Sequence, residues 1–154
     1  MALFLSTVVN KLDRKGRVSV PAAYRNALAG QSFLGIVALP SFKFPALQCA
    51  GMDWMEGLSG RIDALDLYSD AHDDFTASLF ADAHSLPFDG DGRIVLPEPL
   101  VAHAKLTDSA AFVGRGPTFE IWQPQAFERY KAEARRRAAE KGMTLGRADR
   151  PEGA

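Results

Sequence analysis

Apolar and polar residues follow the same pattern twice along the chain. The first copy, LDRKGRVSVP, runs over Leu12–Pro21, and the second, FDGDGRIVLP, runs over Phe88–Pro97, 76 residues later. In each copy the apolar residues after the Arg alternate with a period of two, which is typical of a strand buried on one face. Proline cannot donate to a strand ladder, so each strand is predicted to end there. The Asp-x-x-Gly-Arg segments before the strands are predicted to be hairpin loops, in which Gly16 and Gly92 supply a positive φ.

The segments after each copy also correspond. Each copy is followed by a predicted short helix, two predicted strands and a longer helix, and the first half has one additional helix. Asp53 is predicted to be an N-cap in a capping box with Glu56, and Pro124 is suited to a first helical turn. The predicted helices are 22–28, 53 onward, 70–83, 98–105 and 124–140, and the predicted strands outside the repeat are 33–39, 42–49, 110–114 and 118–122. A repeat at half the chain length indicates duplication of one structural unit.

This organisation predicts two repeats and a tail. We expect the first repeat with its extra helix to cover residues 1–76 and the second repeat with its long helix to cover 77–140. Residues 141–154 are rich in Gly, Pro and charge, so we expect a disordered tail.

Composition narrows the class of protein. The chain has 154 residues, of which 47% are hydrophobic and 24% are charged, as in an ordinary globular domain. Cys49 is the one cysteine, so no intrachain disulfide can form, and a reducing compartment is favoured. No apolar run approaches the roughly 18 residues of a membrane span, and the apolar start at residues 1–5 lacks a basic segment before it. We therefore expect a cytoplasmic protein without a membrane partner.

The net charge of −1 hides an uneven distribution. Residues 1–30 have a net charge of +4, residues 53–91 of −9, and residues 128–150 of +4. Such asymmetry is typical of a protein with one face toward a polyanion, although charge also fluctuates along chains without any such role.

The two repeated segments resemble the paired signatures of the MraZ family. Segment 10–21, NKLDRKGRVSVP, resembles the first family signature, and segment 89–97, DGDGRIVLP, resembles the second. The resemblance extends over residues 4–130. It implies an α+β fold with a duplicated AbrB-like swapped-hairpin β-barrel, formed by two interleaved halves with flanking helices. It also implies a regulator on the bacterial nucleoid that forms ring-like homo-oligomers and binds repeated G-rich boxes upstream of the division and cell-wall gene cluster.

The first loop carries the candidate DNA-binding residues Asp13, Arg14, Lys15, Gly16 and Arg17. In a tight hairpin Asp13 and Arg17 lie near the two strand ends, where the carboxylate can orient the guanidinium. A guanidinium held in this way suits bidentate contact with O6 and N7 of guanine, while Arg14 and Lys15 can neutralise phosphates. The alternative is that the Asp13–Arg17 pair only stabilises the hairpin.

The second loop is acidic by comparison. Asp89–Arg93 has a net charge of −1, against +2 for Asp13–Arg17. Because an acidic loop repels phosphate, we expect the first loop to contact DNA and the second to be mainly structural, with Asp89 and Arg93 as possible secondary contacts.

Other candidate sites are weaker. A calcium loop starting at Asp89 would need an oxygen ligand at position 93 and Glu at position 100, where this chain has Arg93 and Leu100. His72, His84 and His103 lack metal-ligand spacing, and Cys49 lacks any indicated partner base. We therefore expect no metal, no cofactor and no catalytic residue. The role of the basic run Arg135–Arg137 stays open between a solvated helix face and a secondary DNA contact.

These observations together favour a non-enzymatic, sequence-specific regulator of transcription, expected to be a repressor, with double-stranded DNA and its own copies as partners. One alternative is an AbrB-like antitoxin, which binds DNA and a toxin with the same type of fold. The other is a small hydrolase or metal protein, which would need a convergent cluster of His, Asp or Cys residues.

Overall fold

The computed structural model describes residues 2–142, and the expected tail lies almost wholly outside them. This part of the chain has eight strands, which follow one another in pairs, and five helices between and after these pairs. The strands are β1 (Thr7–Lys11), β2 (Arg17–Ser19), β3 (Gly35–Pro40), β4 (Ala46–Ala50), β5 (His84–Pro87), β6 (Arg93–Val95), β7 (Ser109–Gly114) and β8 (Phe119–Trp122). The helices are α1 (Ala22–Ala27), α2 (Met52–Asp63), α3 (Asp70–Phe75), which is followed by a π-helical turn at Thr76–Phe80, α4 (Glu98–His103) and α5 (Pro124–Lys141).

The strands form one six-stranded antiparallel sheet and one two-stranded ribbon. The sheet has the order β1-β7-β8-β4-β3-β5, and the ribbon consists of β2 and β6. The α+β class is therefore confirmed. β1 and β5 are the edges of the sheet and do not pair with each other, so the strand pairing of the described residues does not close into the expected barrel.

Most of the strand pairs join the two halves of the sequence. β1 pairs with β7, β5 with β3, β4 with β8, and β2 with β6. In the ribbon, Val18 lies opposite Ile94, Arg17 opposite Val95 and Ser19 opposite Arg93. Because Val18 and Ile94 are the matched positions of the 76-residue repeat, the ribbon register is symmetric about a local twofold axis.

The main core lies between the two halves as well. Phe4, Tyr24, Phe112 and Phe119 are fully buried, and their rings contact one another with centroid separations of 4.9–6.3 Å. The Tyr24 hydroxyl donates to the carbonyl of Ser6 at 2.8 Å, so the one polar atom of this aromatic group is satisfied. A second cluster, around Val37, Leu39, Met55, Ile62 and Leu79, packs α2 and the π-helical turn on the sheet.

Two expectations about helices need correction. The predicted capping box at Asp53 is wrong, because α2 begins at Met52 with Gly51 as its N-cap. The oxygen that a capping side chain would supply comes from Gln31, whose Oε1 accepts from the N–H of Asp53 at 3.1 Å. The predicted continuous helix 70–83 is α3 and a π-helical turn that ends at Phe80.

The chain divides into two compact units after Pro124. The second unit, as far as residue 142, consists mainly of the long helix α5. This helix begins at Pro124, as the sequence predicts. Within it the rings of Phe127 and Tyr130 lie 6.3 Å apart. Among residues 2–142 no helix combines the length and the apolar character needed to span a membrane.

Candidate nucleic-acid interface

The first hairpin loop is organised around the Asp13 carboxylate. Oδ1 accepts from the backbone N–H groups of Lys15 and Arg17, both at 2.9 Å. Oδ2 accepts from Nε of Arg17 at 2.6 Å. Gly16, at φ +84°, closes the turn, and an added Cβ there would lie 2.7 Å from the carbonyl oxygen of Leu96. The predicted Asp13–Arg17 pair is therefore present, and it is part of the turn itself.

The second loop repeats this geometry. Oδ1 of Asp89 accepts from the N–H groups of Asp91 and Arg93, both at 2.9 Å, and Oδ2 accepts from Nε of Arg93 at 2.9 Å. Gly92, at φ +75°, takes the place of Gly16. Equal geometry in two loops of different charge indicates that the Asp-x-x-Gly-Arg pattern determines the turn.

These contacts favour the ionised form of both carboxylates and lower their pKa values. The N–H of Arg17 is the main cause that lowers the pKa of Asp13 below its ordinary value of 3.8, and the Arg17 guanidinium and the N–H of Lys15 lower it further. The N–H of Arg93 is the main cause of the same effect on the pKa of Asp89. Stability gained in this way is present above the ordinary pKa and is lost as the pH falls through the lowered one.

The ribbon brings the two arginines onto one surface. Val18 and Ile94 are buried, so their neighbours along β2 and β6 face outward. The outward face therefore carries Arg17, Ser19, Arg93 and Val95, with Arg17 opposite Val95 and Arg93 opposite Ser19. The sequence locates Arg17 and Arg93 in separate loops, whereas the fold makes them neighbours on a two-stranded antiparallel ribbon.

The guanidinium groups of Arg17 and Arg93 differ in how many of their nitrogens donate a hydrogen bond. Arg17 donates through Nε, and its two terminal nitrogens have no partner among the described residues. In Arg93 the terminal Nη2 also donates to Oδ2 of Asp91, at 3.3 Å. The guanidinium of Arg17 is therefore oriented by Asp13 with its end-on pair of donors available, while that of Arg93 is partly occupied. Arg14 and Lys15 are exposed at the tip of the first loop.

Two charged residues that the sequence analysis did not select lie beside the loops. Glu98 lines a groove of about 510 Å³ next to the first loop. The Arg25 side chain lies against Gly92 in the second loop, where its Cζ is 2.7 Å from the position of an added Cβ. These residues make the local charge difference between the loops smaller than the loop sequences indicate. The 76-residue offset, which relates Glu98 to Ala22 and Arg25 to Val101, was the signal that could have identified them.

The remaining candidates occupy other parts of the molecule. In residues 2–142 no group of three or more His, Cys, Asp or Glu side chains is placed to hold a metal ion. Nε2 of His103 lies 3.3 Å from the carbonyl of Phe44. Cys49 is buried, and burial together with the charge of Glu120 raises the pKa of its thiol.

The basic run on α5 is partly neutralised within its own helix. Arg136 contacts Glu133 at 2.7 Å and Glu140 at 2.9 Å, and Arg137 lies 3.9 Å from Glu133. Intrahelical pairs at these spacings are typical of a solvated helix face.

Comparison with known proteins identifies the family. A family model described as "MraZ protein, putative antitoxin-like" matches residues 79–146. The chain is 45% identical to the transcriptional regulator MraZ of Rickettsia felis over 97% of this chain and 100% of that protein. It is 48% identical to the protein of the same name from Gluconacetobacter diazotrophicus, over 90% of this chain and 89% of that protein. The corresponding protein of Rickettsia rickettsii is 46% identical over 94% of this chain and 97% of its own length. The repeated Asp-x-x-Gly-Arg loops and this similarity along almost the whole chain lead to one conclusion: the protein belongs to the MraZ family.

Proposed function

We propose that this protein is a non-enzymatic, sequence-specific DNA-binding regulator of transcription. The proposal rests on the contacts and the position of the Arg17 guanidinium. Its guanidinium is held by Asp13 through Nε, its terminal nitrogens have no partner among the described residues, and it projects from the exposed face of a ribbon. The name of the relatives, transcriptional regulator, supports the same function.

A two-stranded ribbon with an arginine on its outward face suits the major groove of DNA. The groove is about 12 Å wide, and it admits a two-stranded β-ribbon. The terminal nitrogens of Arg17 match O6 and N7 of guanine, which is the commonest specific contact of arginine with DNA. Arg14 and Lys15 at the loop tip would neutralise phosphates. Asp89 and Arg93 would serve mainly to hold the second loop, because Asp91 competes for the Arg93 guanidinium.

The family resemblance extends the proposal to targets and architecture. We propose that the protein acts on the nucleoid in the cytoplasm as a repressor, at repeated boxes upstream of the division and cell-wall gene cluster. We also propose that residues 1–76 and 77–140 are two AbrB-like repeats of one swapped-hairpin unit. The strand pairs between the halves and the symmetric register of the ribbon support this duplication.

Assembly into a ring of more than two subunits belongs to the same proposal. One loop neutralises few phosphates, and affinity for DNA rises with the number neutralised. Several loops on repeated boxes would gain affinity through avidity. Light scattering at micromolar concentration tests this assembly, and a monomeric mass would refute it.

A gel-shift titration tests the proposed function. The probes are duplex DNA from upstream of the protein's own gene and a scrambled duplex of equal length, at two salt concentrations. We expect tighter binding to the upstream DNA at both, with weaker binding to each probe at the higher salt concentration because counterion release drives phosphate binding. Equal affinity for both probes would exclude sequence-specific regulation.

A second candidate function is an antitoxin that binds both DNA and a toxin. The description of the matching family model, antitoxin-like, favours it. Co-expression with the product of a neighbouring gene, followed by size-exclusion chromatography, separates the candidates. A stable complex that abolishes the toxicity of that product would favour the antitoxin.

A further inference from the structure

The second hairpin loop is supported by an arginine that the first loop lacks. The Cδ, Nε and Cζ atoms of Arg25 lie 2.7–2.9 Å from the position of a Cβ on Gly92, so this side chain packs directly against the backbone of the second loop. Nε of Arg25 donates to the carbonyl of Val20 at 3.1 Å. The N–H of Val20 in turn donates to the carbonyl of Gly92 at 3.1 Å. The stem and the Nε of Arg25 are therefore fixed at the point where β2 leaves the ribbon.

Within the described part of the chain, no carboxylate contacts the guanidinium of Arg25. Among residues 2–142 its one hydrogen-bond partner is the neutral carbonyl of Val20, and it forms no ion pair. The nearby carboxylates of Asp89 and Asp91 are engaged by Arg93 and by backbone N–H groups. A half-buried guanidinium with free terminal nitrogens is a ready binding group for an anion with paired oxygens, such as a phosphate.

The position of Arg25 relative to Arg17 matches the geometry of duplex DNA. Arg17 follows Gly16 at one end of β2, and Arg25 is bonded to Val20 at the other. Three residue steps separate Arg17 from Val20, which is about 10 Å at the strand rise of about 3.3 Å per residue. This length is slightly less than the major-groove width of about 12 Å. A ribbon with Arg17 over the bases would therefore bring Arg25 to the phosphates at one edge of the groove.

The two loops are related by the local twofold axis, but an arginine lies in this position at only one end of the ribbon. The position equivalent to Arg25 beside the first loop is Val101, which lines the groove of about 510 Å³ there. The first loop thus has exposed Arg and Lys side chains at its tip, and Val101 and the acidic Glu98 beside it. The second loop has an acidic tip and a cation in its support.

We propose that Arg25 is a phosphate-binding residue of the DNA interface, and that it supplies at the second loop the positive charge that the tip of this loop lacks. This inference rests on the proposed function of the protein. It assigns different tasks to the two ends of one ribbon, with base contact through Arg17 and backbone contact through Arg25.

Substitution of Arg25 in the full-length protein tests the assignment. Arg25→Gln removes the charge, and Arg25→Lys retains it on a side chain of similar length. We expect Arg25→Gln to weaken binding to the upstream and scrambled duplexes equally, because phosphates carry no sequence information. The slope of log K against log salt should become shallower by about 0.9 for each phosphate that is no longer neutralised. The difference in affinity from the unsubstituted protein should therefore shrink about 3.5-fold for each such phosphate as salt rises from about 50 to about 200 mM. Arg25→Lys should retain the original slope.

An unchanged slope for folded Arg25→Gln would overturn the proposal, as would a weakening confined to the upstream duplex. If Arg25→Gln does not fold, Val101→Arg decides, since the adjoining groove has room for the longer side chain. A second cation beside the first loop should steepen the slope by about 0.9, and no change would count against phosphate contact from this position. The variant Arg17→Ala distinguishes failure of the Arg25 proposal from failure of the proposed DNA interface. Loss of specific binding in Arg17→Ala with an unaffected Arg25→Gln would reject the role of Arg25 alone, and full specificity in Arg17→Ala would reject the proposed interface.

Discussion

Replacement of Arg17 by Ala should abolish specific DNA binding without unfolding the protein, whereas the matched replacement Arg93→Ala should leave most of it. The two residues occupy equivalent positions of the symmetric ribbon, so each is the control for the other. Asp13 would still accept from the two backbone N–H groups after Arg17→Ala, because those bonds come from the main chain. The ion pair that this variant removes is exposed to solvent, with 37% of the Arg17 side chain accessible, and such pairs contribute little to stability.

The effect on binding is larger because Arg17 would contact a base. A bidentate arginine–guanine contact is worth about 1–3 kcal/mol of discrimination, which corresponds to about 5- to 150-fold in affinity. With two loops engaged on neighbouring boxes, binding would weaken by about 2–6 kcal/mol. Arg93 is held by Asp89 and Asp91 together, so its replacement should leave DNA binding mostly intact, and any harm should appear as a small reduction in thermal stability.

The assay is a parallel titration of both variants on upstream and scrambled duplexes, with thermal melting and light scattering as controls for fold and assembly. We expect Arg17→Ala to bind the two duplexes with equal, weak affinity, and Arg93→Ala to retain its preference for the upstream one. Equal reductions in affinity for the two variants would show that the loops act symmetrically, and that Asp91 does not decide between them. Unchanged specificity in Arg17→Ala would refute the site.

Three further predictions concern the loop tip, the turn and the halves. Lys15→Ala should weaken binding to every duplex equally and reduce the salt slope by about 0.9 per engaged loop, as measured by titration at several salt concentrations. Gly16→Ala should destabilise the fold by about 1–3 kcal/mol in urea unfolding, because a side chain at its positive φ is strained and the added Cβ would lie 2.7 Å from a backbone oxygen. Gly90→Ala, where nothing lies within 4 Å of the added Cβ, is the matched control, and an equal destabilisation there would contradict the steric explanation. Neither segment 1–74 nor segment 75–154 should show a cooperative thermal transition as a monomer, since most strand pairs join the two segments, and a sharp monomeric transition in either would refute this dependence.

Local patterns were sufficient for the turns and for several helices. The contacts of Asp13 reach only two and four residues along the chain, so the order Asp-x-x-Gly-Arg specifies them almost independently of the rest of the fold. The same holds for the start of α5 at Pro124, where the proline is compatible with a first helical turn. The N-cap of α2 was mispredicted because its partner, Gln31, is 22 residues away from Asp53, and nothing in the local sequence indicates that contact.

By itself the sequence determined the repeated segment, the two hairpin turns, the Asp13–Arg17 pair and the charge difference between the loop tips. Only the tertiary structure decided that β2 and β6 pair into one ribbon, that Arg17 and Arg93 share its outer face, and that Arg25 supports the second loop. The physical reason is the range of the interactions. Turn chemistry acts over a few residues, whereas the register of strands far apart in sequence is selected by which apolar side chains can be buried together. Val18 and Ile94 are buried in the core that both halves form, so the arginines next to them in β2 and β6 face outward.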